Sequence, residues 1–127
     1  MNEIKKKILI VEDDEHILRI YELKFAKEGY TTSIVTSGDE AVGKIIAEKP
    51  DLIILDLMIP RKDGFEILEE LKNNPETMAI PVLVLSNLGS EMDISRALGL
   101  GAIGYMIKVN HSFQEVVDNV KNYFLKN

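Results

Sequence analysis

Asp51-Leu-Ile-Ile-Leu-Asp56-Leu-Met-Ile-Pro60 is the stretch that decides how this chain folds. An uninterrupted apolar run lies between two carboxylates, with prolines at Pro50 and Pro60. A short run bounded in this way reads as a strand buried on both faces, the kind that parallel sheets contain. Asp56 then falls at the carboxyl end of that strand, the edge along which open parallel sheets bind ligands. Taken alone, Asp56 is equally the opening of a turn, a place aspartate often occupies.

The flanking sequence repeats the pattern. Lys7-Ile-Leu-Ile-Val11 is a second two-sided run, and it ends in Glu12-Asp13-Asp14. Pro81-Val-Leu-Val-Leu-Ser86 is another, ending in a hydroxyl, and Ala102 to Ile107 ends at Lys108. Tyr30 to Thr36 is rich in β-branched residues and reads as a further strand. Helical spacing fills the intervals. Leu18, Tyr21 and Phe25 share a face between Asp14 and Glu28, with Gly29 as the C-terminal stop. Ser37-Gly-Asp-Glu40 reads as a capping box before Ala41, Val42, Ile45 and Ile46. Phe65, Leu68 and Leu71 mark a short helix that ends at Asn73-Asn74-Pro75. Ser90-Glu-Met-Asp93 opens a helix whose apolar face (Met92, Ala97, Leu98) is thin, and Gly99 and Gly101 break it. Ser112-Phe-Gln-Glu115 is another capping box, leading a stripe of Phe113, Val116, Val117, Val120 and Phe124. Five strands alternating with five helices predict an α/β domain, a parallel sheet with helices on both sides.

Bulk properties narrow the function. A chain of 127 residues is one domain, so residues 1–127 are read as a single unit. A net charge of −6 argues against a direct nucleic-acid partner, because phosphate binding needs a basic face. With no cysteine there is neither a disulfide nor a thiolate nucleophile. No apolar run approaches a membrane span, and Ile4-Lys-Lys-Lys7 leads into a strand without a signal-peptide profile. The expectation is a soluble cytoplasmic domain with no membrane contact. Asn127 follows the last helix closely, so no output domain is expected within this chain.

Each polar group of interest ends a strand: Glu12 and Asp13 the first, Asp56 the third, Ser86 the fourth, Lys108 the fifth. In a parallel sheet those ends share one edge, so residues distant in sequence converge. Each has a duller role when taken singly: Asp14 as a helix cap, Ser86 as a turn former, Lys108 as a solvated charge. Together they make a physical demand, since two carboxylates about 4 Å apart repel by roughly 4 kcal/mol at an effective dielectric near 20. A hard divalent cation resolves that conflict, and an all-oxygen site suits Mg²⁺ better than Zn²⁺. Neither His16 nor His111 is placed to make a zinc site. A cation, a carboxylate nucleophile, a hydroxyl and a lysine are the parts phosphoryl transfer needs. Asp56 would attack, Mg²⁺ and Lys108 would hold two phosphoryl oxygens, and Ser86 would donate to a third.

The chain resembles a two-component response-regulator receiver domain over nearly its full length. The resemblance is carried by Ile8-Leu-Ile-Val-Glu12-Asp13-Asp14, Asp51 to Gly64, Val82-Leu-Val-Leu-Ser86 and Gly101-Ala-Ile-Gly-Tyr105-Met-Ile-Lys108. It implies a flavodoxin-like fold with strand order 2-1-3-4-5, and phosphorylation of Asp56 by a histidine kinase or a phosphotransfer protein. It implies that Asp13, Asp56 and the Met58 backbone carbonyl ligate Mg²⁺, with Mn²⁺ as a substitute, and that Glu12 acts through water. Ser86, Asn87 and Lys108 form its phosphoryl-binding group, and Ser86 with Tyr105 its switch pair. The output surface is the fourth helix, fifth strand and fifth helix, acting on a downstream effector protein; a phosphorylation-dependent homodimer through that face is a second output. The first helix carries most of the kinase contact. Such a domain is not an enzyme, catalysing only its own phosphorylation and dephosphorylation.

Three positions depart from the family pattern. Val109 follows Lys108 where the family usually has a cis-bonded proline; a cis bond before valine costs about 2.5–4 kcal/mol, which favours trans and puts the reach of Lys108 in question. Asn87 stands where a small residue is usual, and is expected to narrow access for the phosphodonor. Met58 and Leu88 place apolar bulk beside the site, and are expected to slow hydrolysis of the aspartyl phosphate. Three rival readings fit less well. A Mg²⁺-dependent phosphohydrolase wants a second acid where Met58 stands, and Glu12-Asp13-Asp14 would repel the phosphate of a flavin carrier. A degenerate receiver that signals without phosphorylation is kept open by the missing proline.

Overall fold

Strands form where the apolar runs are. A computed structural model describes residues 5–127, so the Ile4 start of the lysine-rich lead-in lies outside the described residues. Strands β1 (Lys7–Val11), β2 (Thr31–Val35), β3 (Leu52–Leu55), β4 (Val82–Ser86) and β5 (Gly104–Ile107) are all parallel and lie in the order β2-β1-β3-β4-β5. Helices α1 (Glu15–Lys27), α2 (Gly38–Glu48), α3 (Gly64–Asn73), α4 (Glu91–Gly99) and α5 (Phe113–Lys126) alternate with them. The sheet order and the five-helix count are those the sequence and its resemblance imply. No helix of the described residues is long and apolar enough to cross a membrane.

Because side chains alternate across a strand, each apolar run feeds two cores. Leu9, Val11, Ile53, Leu55, Val82 and Val84 meet Ala41 and Ile45 of α2, Leu68 and Leu71 of α3, and Ala97 of α4. Ile8, Ile10, Leu52, Ile54, Leu83 and Leu85 meet Leu18, Tyr21 and Phe25 of α1 and Val116, Val117 and Val120 of α5. Every residue of β3 is buried, as a run without polar alternation requires.

Helix ends follow the capping signals with one exception. Asp14 accepts from the His16 and Ile17 N–H groups, Ser90 accepts from Asp93, and the Ser112–Glu115 box is complete. Ser37 is the exception: its hydroxyl bonds to the Asp39 carboxylate, and no side chain caps α2. The loop after β3 packs against that end instead. Gly38 N–H donates to the Pro60 carbonyl at 2.9 Å, and a Cβ on Gly38 would lie 2.7 Å from Lys62. The apolar face of α4 is thinner than its pattern: only Ala97 is buried, Leu98 is exposed and Met92 is 83% exposed.

One structural residue carried no sequence signal. Thr77, between α3 and β4, is 1% exposed and donates its hydroxyl to the Leu71 carbonyl at 2.7 Å, closing the C-terminus of α3. Thr77→Val keeps the volume but leaves that carbonyl without its donor, and should lower unfolding free energy by about 1–3 kcal/mol. Met92→Ala should stay within about 0.5 kcal/mol of the parent. Urea denaturation of the two variants checks both values.

Candidate functional site

Strand register builds the site. Val11 pairs with Leu55, so Glu12 and Asp56 leave the sheet side by side. Asp56 N–H donates to the Val11 carbonyl at 3.0 Å and Glu12 N–H to the Val35 carbonyl at 2.9 Å. Both carboxylates are deeply buried, at 3% and 4% exposure, whereas Asp13 is open to solvent. One carboxylate oxygen from each of Glu12, Asp13 and Asp56 lies within 4.8 Å of the others. At that spacing two carboxylates repel by roughly 3–4 kcal/mol at an effective dielectric near 20.

Lys108 answers the repulsion. Its Nζ donates to Asp56 Oδ2 at 2.6 Å and also to Glu12 Oε1. It does so from a trans backbone, for there is no cis peptide bond among the described residues. The reach of Lys108 that Val109 put in question is therefore intact. Burial works to lower the Lys108 ammonium, but the two carboxylates outweigh it and hold the group above the usual lysine value. Burial pushes the Glu12 carboxyl above its ordinary range, against the pull of Lys108 and with some help from the Asp56 charge.

Backbone donors fix the remaining oxygens. Asp56 Oδ1 accepts from Met58 N–H at 2.9 Å, which holds Met58 beside the carboxylate while its side chain faces solvent on the rim. Glu12 Oε2 accepts from the N–H groups of Asp13 at 2.9 Å and Asp14 at 3.2 Å. The turn bearing Met58 is held by Gly64, a requirement missed in the sequence. A Cβ there would lie 2.3 Å from Leu57 Cα, so only glycine lets the start of α3 press against the turn that follows β3. The Asp63-Gly64 pair signals a turn, and Asp63 caps α3 by accepting from Phe65 N–H at 2.8 Å, but the close approach itself has no sequence signature.

The hydroxyl and the aromatic ring are linked through one residue. Ser86 is fully buried, and its Oγ accepts from Leu88 N–H at 3.4 Å, a long contact. The Tyr105 hydroxyl donates to the Leu88 carbonyl at 2.6 Å, with the ring half-buried. Burial, together with the Asp93 and Asp56 charges, raises the Tyr105 phenol above its usual value. Asn87 directs its side-chain oxygen to Val109 N–H at 3.1 Å.

The donor set fits a hard divalent cation: oxygen ligands only, of excess negative charge, at a solvent-reachable edge. Asp13, Asp56 and the Met58 carbonyl would hold it, with Glu12 behind them. Lys108 occupies two of these carboxylates and so competes with the cation for them.

Comparison with known proteins agrees with the geometry. Residues 8–121 match the sequence profile of the response regulator receiver domain family. The alkaline phosphatase synthesis transcriptional regulatory protein PhoP of Bacillus subtilis is 38% identical over 105 residues, covering 83% of this chain and 43% of that protein. The chain spans less than half the length of the curated relatives it matches. A CheY-like receiver domain protein of Methanospirillum hungatei superposes with a TM-score of 0.88 at 25% identity, over 97% of this chain and 96% of that one. The BeF3-activated N-terminal receiver domain of Klebsiella pneumoniae RstA gives 0.83 at 29% identity, over 91% and 96%.

Removing Lys108 leaves two buried carboxylates facing each other. Without divalent cations, Lys108→Met should lose about 3 kcal/mol of stability. Saturating Mg²⁺ should raise the melting temperature of this variant more than that of the parent. Thermal melts of both proteins with EDTA and with Mg²⁺ make the comparison.

Proposed function

The chain belongs to the response regulator receiver domain family, and from that premise we propose that it is the phosphoacceptor of a two-component or phosphorelay system, modified on Asp56. The observation that carries this is the buried Asp56 carboxylate, paired with Lys108 and set within 4.8 Å of two further carboxylates at the sheet edge. Its donor is the phosphohistidine of a histidine kinase or of a phosphotransfer protein. An Asp56 oxygen attacks phosphorus, the P–N bond breaks with its electron pair left on the imidazole, and the new P–O bond makes an acyl phosphate. Mg²⁺, when bound, neutralises charge on the transferring oxygens.

The chain's own residues divide the rest of the work. The Met58 N–H orients the Asp56 carboxylate. Lys108 exchanges its carboxylate partner for a phosphoryl oxygen. Ser86 accepts from Leu88 and so keeps its own O–H proton to donate to a second oxygen. Asn87 has its oxygen engaged by the Val109 N–H. Once Ser86 moves toward the phosphoryl group it carries Leu88, and the bond from Tyr105 to the Leu88 carbonyl passes the motion to β5. The surface that changes is α4–β5–α5, where Met92, Leu98 and Ile103 are exposed. It acts on a downstream effector protein in the cytoplasm, or on a second phosphorylated copy. The protein is not an enzyme beyond its own phosphorylation and dephosphorylation.

Phosphoramidate with Mg²⁺ should add one phosphate by intact mass, and Asp56→Asn should add none; an adduct on the Asn variant would point to another acceptor. The apolar rim predicts a long-lived phosphate. Met58→Asn combined with Leu88→Glu should speed its loss on the order of tenfold, a barrier lower by about 1.4 kcal/mol. Decay of the adduct after donor removal measures this.

A further inference from the structure

The two departures at Asn87 and Val109 meet in space. Ser86 pairs with Ile107, so the chain leaves the sheet with Asn87 beside Lys108 and Val109. Lys108–Asn110 form a 3₁₀ turn directly after β5. The first N–H groups of such a turn have no partner inside it. The Val109 N–H finds one outside, donating to Asn87 Oδ1 at 3.1 Å. A proline at this position would have no N–H to satisfy and would fix its own φ. Valine does neither, and the neighbouring strand supplies the restraint.

Lys108 lies between two anchors as a result. On one side is the β4–β5 ladder, which runs to the Ser86–Ile107 pair; on the other is the Asn87–Val109 bond. From there its ammonium must pass β4 to reach Asp56 beyond β3 and Glu12 beyond β1. Strands two places apart are roughly 9–10 Å apart, so the lysine has little slack to absorb a shift of its main chain.

We infer that Asn87 is a positioning residue, whose side-chain oxygen latches the trans Lys108–Val109 backbone so that the Lys108 ammonium reaches the phosphoacceptor. This role rests on Asp56 being the phosphoacceptor. It inverts the expectation drawn from side-chain size: if Asn87 merely crowds the donor, its removal speeds phosphorylation, whereas a latch makes its removal slow.

The test uses the full chain with phosphoramidate as donor, following adduct formation by mass and Mg²⁺ affinity by titration with the metal alone. Asn87→Ala should slow adduct formation up to about tenfold, the effect of one lost hydrogen bond. Mg²⁺ affinity should stay equal or rise, because a loosened Lys108 competes less for the carboxylates. In the Lys108→Ala background, Asn87→Ala should change the rate less than about twofold, since Asn87 acts through Lys108. In the Val109→Pro background it should likewise do little, the donor being absent. Asn87→Ala reacting at or above the parent rate overturns the latch. So does an equal slowing in the parent and Lys108→Ala backgrounds, or a loss of Mg²⁺ binding in step with the rate. If the parent itself takes no phosphate, the phosphoacceptor reading fails first and the latch fails with it.

Discussion

Two carboxylates buried side by side at a sheet edge set the terms for the whole molecule. Glu12 and Asp56 are driven together by register, since the strands they terminate pair residue for residue and bury every apolar side chain they carry. Nothing in the core favours such a pair. It exists in this form because a lysine from two strands beyond Asp56 bonds to both, and because backbone N–H groups take their remaining oxygens. A site held this way keeps a net negative charge, because one lysine stands against the carboxylates of Glu12, Asp13 and Asp56.

The two sides of the sheet are packed differently. Under α1 and α5 lie aromatic contacts between Tyr21 and Phe25, Tyr21 and Phe113, and Tyr30 and Phe124. On the other side α4 contributes a single buried residue, Ala97. A helix with so little buried surface is among the weakly held parts of the structure. Leu88 and Tyr105 pack on that side, and the bond from Tyr105 to the Leu88 carbonyl ties β5 to the loop that precedes α4.

Local signals were legible where nothing competed with them. Ser112 and Ser37 carry the same Ser-x-x-Glu pattern, yet only Ser112 completes a capping box. At Ser37 the loop around Pro60 and Lys62 packs on the helix end, satisfies Gly38 and frees the serine for Asp39. Thr77 and Gly64 were opaque for a related reason. A buried hydroxyl and a glycine pressed on backbone are demands made by the way a loop folds back on itself, Thr77 on Leu71 and Gly64 on Leu57, and neither leaves a periodicity to find.

The sequence alone determined which segments are strands, that they are parallel, and which polar residues end them, because two-sided burial demands unbroken apolar runs and the residue after each run is the first one free to be polar. Glu12, Asp13, Asp56, Ser86 and Lys108 were readable on that ground, whereas Met58, Asn87 and Tyr105 were indicated by the family resemblance. Only the tertiary structure decided how they are joined: that Lys108 bridges Glu12 and Asp56 from a trans backbone, that Asn87 turns to Val109, and that Met92 stays outside the core. Those are distances across strands and between loops, set by register and packing, and no local pattern in the chain encodes them.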